Sequence, residues 1–153
     1  MKIAIGSDHA GFQLKQVIMK ELSGFGHEYE DLGAFNDDVP ANDYHLTGAR
    51  VAETVVAGKA DLGIVICGTG IGISIAANKV PGAYAALCND LFSAIKSRQH
   101  NNANVLALGA RIIGEDLAKE IVRVWLETPY ESGRHEKRNE NLKQIENKYS
   151  KTG

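Results

Sequence analysis

A chain of 153 residues, 44% hydrophobic and 24% charged with a formal net charge of −2, has the size and composition of one globular domain with an adequate core. The near balance of acids and bases gives no electrostatic case for nucleic acid or an anionic membrane surface, so a small metabolite is the expected partner. With no apolar run long enough to span a bilayer and no signal-peptide layout before the first strand, a cytoplasmic protein is expected. Two cysteines, Cys67 and Cys88, are too few for a disulfide framework and read as free thiols, Cys88 as a structural one.

Lys2 to Gly6 is a short apolar strand and Ser7-Asp8-His9-Ala10-Gly11 a turn, after which Leu14, Val17, Ile18 and Leu22 repeat at helical spacing. His27 to Leu32 makes a second strand, whose charge suits a sheet edge. Gly33 to Asp43, carrying Pro40 and several acids, reads as a loop longer than α/β connections usually are. Ala49, Val51, Ala52, Val55 and Val56 give one face of a second helix, closed by Gly58. Ala60 to Ile66 is a third strand, apolar enough to be buried on both faces. Ile71 to Asn78 follows as a short helix, and Ala83 to Cys88 as a fourth strand. Asn89 or Asp90 can cap the next helix, which ends near His100-Asn101-Asn102, where asparagine tolerates a left-handed backbone. Asn104 to Leu108 is a fifth strand; a helix follows Gly114, and a polar helix from about Arg134 to Tyr149 closes the chain. With no repeats or linkers, residues 1–153 read as one domain. The β-α alternation predicts a three-layer αβα, Rossmann-like fold: a five-stranded parallel sheet in flavodoxin-like order with an extra C-terminal helix.

The stretch Cys67-Gly68-Thr69-Gly70-Ile71-Gly72 stands where the third strand hands over to a helix. Glycine permits positive φ and close approach to a ligand. A helix N-terminus offers unpaired N–H groups and partial positive charge to an anion, and the same field favours a thiolate at Cys67. An isolated cysteine at a strand end is more often a small core residue, but the glycines that follow favour a base or nucleophile.

In flavodoxin-like order the ligand crevice opens between strands one and three, so the Ser7-Asp8-His9 loop and the Cys67 loop face one site. Taken singly, Asp8 reads as a helix cap and His9 as a solvated loop residue. His100 reads as a histidine favoured by a helix C-terminus. Arg134 and Arg138, four apart on a helix, suit a phosphate or pair equally well with Glu131, Glu136 or Glu140. A dinucleotide-binding turn is a rival reading, with Gly68-x-Gly70-x-Gly72 and Asp90 about twenty residues on, but the spacing is not that of the fingerprint and the turn follows the third strand. A non-catalytic sugar-phosphate sensor is the other rival.

Asp8-His9-Ala10-Gly11, Cys67 to Gly72, Ala76-Ala77-Asn78-Lys79, Ser97-Arg98-Gln99-His100-Asn101 and Gly133-Arg134-His135 together resemble the type B ribose-5-phosphate isomerases, over nearly the whole chain. The wider family includes galactose-6-phosphate and allose-6-phosphate isomerases, and none of these needs a metal or an organic cofactor. The resemblance implies Cys67 as the base between C2 and C1, with Thr69 and the N–H groups from Gly68 through Gly70 to Gly72 around the enediolate oxygen. It implies His100 with Asp8 for ring opening, and His9, Arg134 and Arg138, joined by Arg111, for the phosphate. In the family His100, Asn101 and Arg111 reach the site from the partner chain, so a homodimer or dimer of dimers is implied, with residues 134–149 at the interface. One branch replaces the cysteine by a glutamate six residues on; here that residue is Ile73, which places the chain in the cysteine branch. Relatives usually carry Asp-Tyr-Pro where this chain has Asn42-Asp43-Tyr44-His45, which leaves a hexose 6-phosphate open as an alternative substrate.

Overall fold

A computed structural model describes residues 1–36 and 43–151. Its three central strands are β1 (Lys2–Ser7), β3 (Leu62–Cys67) and β5 (Val105–Gly109), and apart from Lys2 every residue in them is buried. Such runs require a helical layer on each side of the sheet. On one side Ile3, Ile5, Ile64, Ile66, Leu106 and Leu108 form a core with α1 (Phe12–Gly24), α4 (Leu91–Gln99) and α5 (Glu115–Glu127). On the other, Ala4, Val65, Val105 and Ala107 pack with α2 (Tyr44–Val56) and α3 (Ile71–Asn78). Gly63 lets α2 settle close, since a Cβ there would lie 2.7 Å from Val51. Trp125 of α5 is fully buried and its indole N–H donates to Ser97 Oγ at 3.1 Å. Ser97 also faces Cys88, whose burial pushes its thiol pKa up to about 11, against the lowering effect of the Ser97 hydrogen bond. Cys88 is thus a packed, protonated core residue, as its sequence context suggested.

The sheet is all parallel, in the order β2-β1-β3-β5-β4, with β2 (Glu28–Asp31) and β4 (Ala85–Leu87) at the edges. The three layers and the reversal at β1 and β3 are as expected. The far half is not: flavodoxin-like order would run 2-1-3-4-5, whereas here β5 lies beside β3. Burial accounts for the exchange. The five residues of β5 are all buried and fit the interior, while the three of β4 are partly exposed and fit an edge.

Local chemistry sets the helix ends. Asp90 caps α4 by accepting the Ser93 N–H at 2.7 Å, and Asn102 takes the left-handed conformation just beyond it at φ 50. Gly58, at φ 76, closes α2. Lys15 of α1 is fully buried, ion-paired to Asp31 at 2.6 Å and bonded to the Ala34 carbonyl. That anchors the chain after β2, where the Ala34 N–H reaches the Ser7 carbonyl at 2.7 Å. The last helix, α6 (Arg134–Tyr149), buries only His135, and Leu142, Ile145 and Tyr149 are exposed. Glu146 ties it down by accepting the Gly82 N–H at 2.9 Å.

Candidate active site

At the carboxyl ends of β1 and β3 lies an open cleft of about 660 Å³, walled by Asp8, His9, Cys67 and Thr69, with Tyr44 and Arg111 at its sides. The glycine loop forms its floor. Gly72 leaves room for a neighbour, since a Cβ there would sit 2.8 Å from the Tyr44 ring, whereas one on Gly68 would make only ordinary contact with the Arg111 guanidinium, at 3.4 Å. Gly70 is needed for its backbone: it takes φ 80 as the residue before α3, and a Cβ would meet the Leu108 carbonyl carbon at 2.9 Å.

This turn returns the Gly70 N–H onto the Cys67 sulfur at 3.2 Å. Thr69 Oγ1 accepts the Ile71 N–H at 3.2 Å. Cys67 is 5% exposed, so its sulfur is shielded yet at the cleft wall. The first turn of α3 adds N–H groups that no helix satisfies internally, and these amides favour negative charge. Ile73 is fully buried in the core, away from the cleft surface.

Across the cleft, Asp8 is buried and its Oδ1 accepts the Gly11 N–H at 3.0 Å. Gly11, not Asp8, precedes the first helical residue, so Asp8 closes the turn before α1 and not the helix itself. His9 is half-buried, and its Nδ1, like Ser7 Oγ, is buried without a hydrogen-bond partner. Ligands or ordered water normally satisfy such atoms.

The other expected residues assemble elsewhere. His100 follows α4, Arg134 and Arg138 are exposed on α6, and none of them lines the cleft; nor does Asn101. They gather at the corner where α4 meets α6. The His100 and His135 rings stack with centroids 4.1 Å apart and planes 17° from parallel. Burial holds the His135 pKa below the ordinary histidine value, reinforced by His100, Arg134 and Arg138 and opposed by Glu131. The Asn139 amide bonds the His100 carbonyl at 2.8 Å.

Among the described residues, His100, Glu131 and His135 form a group with donor atoms within 4.8 Å of one another, close enough to ask whether it holds a metal. The donor set does not fit one. With the rings stacked, an ion in the plane of one imidazole lies far out of the plane of the other, and Arg134 and Arg138 stand beside it.

Arg111 is a correction. It lines the cleft of its own chain, where the resemblance implied a partner's residue. The strand order explains this: with β5 beside β3, the turn after β5 bonds the glycine loop, the Arg111 N–H donating to the Gly68 carbonyl at 2.9 Å. Arg134 and Arg138, expected to share a phosphate with His9, stand apart from it. Tyr44 was not among the expected site residues; the signal for it was its place at the end of the long loop. His135 and Asn139 were also missed, although both lie on the α6 face near Arg134 and Arg138. The acidic part of that loop, with Pro40 and Asn42, lies outside the described residues.

A family model described as ribose/galactose isomerase matches residues 3–142. The chain is 49% identical over 145 residues to "Ribose-5-phosphate isomerase B" of Escherichia coli, covering 95% of this chain and 96% of that one. It is 44% identical over 138 residues to "D-erythrulose-4-phosphate isomerase" of Pectobacterium atrosepticum, covering 87% of each. A solved structure of ribose-5-phosphate isomerase B from Clostridium thermocellum superposes with a TM-score of 0.95 at 51% identity, over 98% of this chain and 100% of that one.

Proposed function

This chain belongs to the ribose/galactose isomerase family, and from that membership we propose that it interconverts ribose 5-phosphate and ribulose 5-phosphate through an enediolate. The observation that carries this reading is the Cys67 sulfur held by the Gly70 N–H on a floor of main-chain donors. Cys67 takes the proton from C2 of the open-chain aldose. The electron pair left behind moves into the C1–C2 bond, and O1 takes up negative charge. Thr69 and the loop N–H groups from Gly68 to Gly72 oppose that charge only as it forms, which makes the interaction catalytic and not merely binding. Return of the proton to C1, with transfer of the O2 proton to O1, completes the ketose.

Ring opening precedes this step for a furanose. His100, with Asp8, moves a proton between the anomeric hydroxyl and the ring oxygen. His9 and Arg111 on the cleft side and Arg134 and Arg138 on the corner side hold the phosphate. These two groups belong to one site if a two-fold dimer lays the corner of one protomer over the cleft of the other. Exposed apolar residues support such a partner surface: Ile71, which lines the cleft, and Ile75, Phe92 and Ile112 are 52%, 53%, 72% and 59% exposed. Among the described residues, no helix is long and apolar enough to cross a membrane.

A turnover panel tests the substrate. Ribose 5-phosphate is expected to give the highest kcat/KM against galactose, allose and erythrose phosphates; a hexose 6-phosphate above it establishes the alternative isomerase. Deuterium from heavy water should appear on carbon, which a sensor or a dinucleotide-binding module cannot produce. The shared site has its own test: Cys67→Ser and His100→Asn homodimers, each inactive, should regain about a quarter of wild-type activity when subunits are exchanged, because half the chains form mixed dimers with one intact site. No recovery after confirmed exchange places both residues in one chain's site.

A further inference from the structure

We propose that Asn139 is a positioning residue for ring opening, holding His100 in place through its main chain; this rests on the role given to His100 above. Asn139 sits half-buried on α6, four residues and so about one turn after His135, on the same helix face. Its amide nitrogen donates to the His100 carbonyl at 2.8 Å and to the Tyr130 hydroxyl at 3.0 Å. Its oxygen lies 3.5 Å from the Asn101 amide nitrogen. The direction of the amide is fixed, because a carbonyl only accepts and so must face the NH₂ end.

His100 needs such a hold. It lies just past the end of α4, where a carbonyl has no partner within the helix. Two side chains of the same α6 face therefore fix it, Asn139 at its main chain and His135 against its ring. A second tie steadies the corner: the Glu131 N–H donates to the Gln99 carbonyl at 3.1 Å, next to His100 in sequence. Asn139 touches no group assigned to proton abstraction, since Cys67, Thr69 and the glycine loop lie in the cleft. Loosening it should then impair the step that needs His100 and spare the step that needs Cys67.

The test uses the full-length enzyme and two variants. Asn139→Asp keeps the shape but replaces donors with a carboxylate facing the His100 carbonyl; Asn139→Leu removes the hydrogen bonds without adding charge. Turnover of ribose 5-phosphate, which is largely ring-closed, should fall about 10- to 100-fold in both, the effect of a misplaced group of this kind. Ribulose 5-phosphate has no free C5 hydroxyl and stays open-chain, so its C1 deuterium exchange in heavy water should remain within about twofold of wild type. Binding of acyclic 5-phosphoribonate, measured by calorimetry, should likewise be unchanged. Unaltered ribose 5-phosphate turnover overturns the proposal, as does a parallel fall in turnover, exchange and binding, which marks a structural role only. His100→Ala separates the two layers: if it leaves ribose 5-phosphate turnover intact, the reading of His100 fails and the proposal fails with it; if turnover collapses while both Asn139 variants are unaffected, only the proposal fails.

Discussion

Around the Cys67 sulfur in the cleft, the groups set to meet developing charge are main chain: the Gly70 N–H on sulfur and the first turn of α3, with Gly72 leaving room for Tyr44. At the corner of α4 and α6 the groups are long side chains, His100, Arg134 and Arg138, with His135 behind them. The contrast matches what each region has to do. Backbone donors lose no side-chain entropy and keep their aim, which suits charge that exists only near a transition state. Exposed arginines adapt and let go, which suits a phosphate that must arrive and leave.

The largest effect expected to test this division is at Cys67. Cys67→Ser should keep the fold and the affinity for acyclic phosphates but lose about 10²–10⁴-fold in kcat, the usual worth of a general base; equal turnover of every aldose phosphate would remove Cys67 from the mechanism. The main-chain side is probed by Gly70→Ala, which forces a Cβ onto a residue at φ 80 and against Leu108. Chemical denaturation should show a loss of about 1–3 kcal/mol, with a fall in kcat as the N–H leaves the sulfur. Gly24→Ala, where a Cβ meets nothing within 4 Å, is the control.

On the side-chain side, Arg138→Ala should raise KM for phosphorylated sugars about tenfold or more, the worth of one charge-assisted hydrogen bond, with kcat little changed. A change below about twofold argues that Arg138 is only a solvated charge. The smallest effect is on stability against pH. His135 has a folded pKa below its ordinary value of 6.5, first through burial and then through its cationic neighbours. The unfolded chain therefore binds this proton at a higher pH than the folded one. Stability from this group is present above pH 6.5 and is lost as pH falls through the lower folded value. In His135→Gln that part of the acid decline in Tm should vanish; superimposable Tm–pH profiles would contradict it.

The elements were largely legible because burial leaves a mark on composition. Val105 to Leu108 must lie inside, and Glu28 to Asp31 must lie at an edge. The Asp90 cap and the left-handed Asn102 follow from side-chain chemistry that acts over a few residues. Strand order beyond β3 was not legible, since two apolar strands of similar pattern compete for one place and the choice depends on how completely each is covered. Nor was it legible that the turn after β5 brings Arg111 to the cleft of its own chain, since that depends on which strand neighbours β3. The Cys67 loop was readable as a local motif. The pairing of Asn139 with His100, 39 residues apart, depends on how α6 docks, and no local spacing announces it.

How α6 docks has a consequence of its own. Sixteen residues long, it buries one side chain and is held mainly through Asn139 and Glu146. Little of its folded free energy comes from within its own protomer, so its opening should cost far less than global unfolding. If a second copy covers Leu142, Ile145 and Tyr149, mass action governs that opening. Amide exchange in α6 should then quicken on dilution while that of β3 and β5 does not. Protein concentration itself would regulate the enzyme, at the corner that carries the ring-opening histidine.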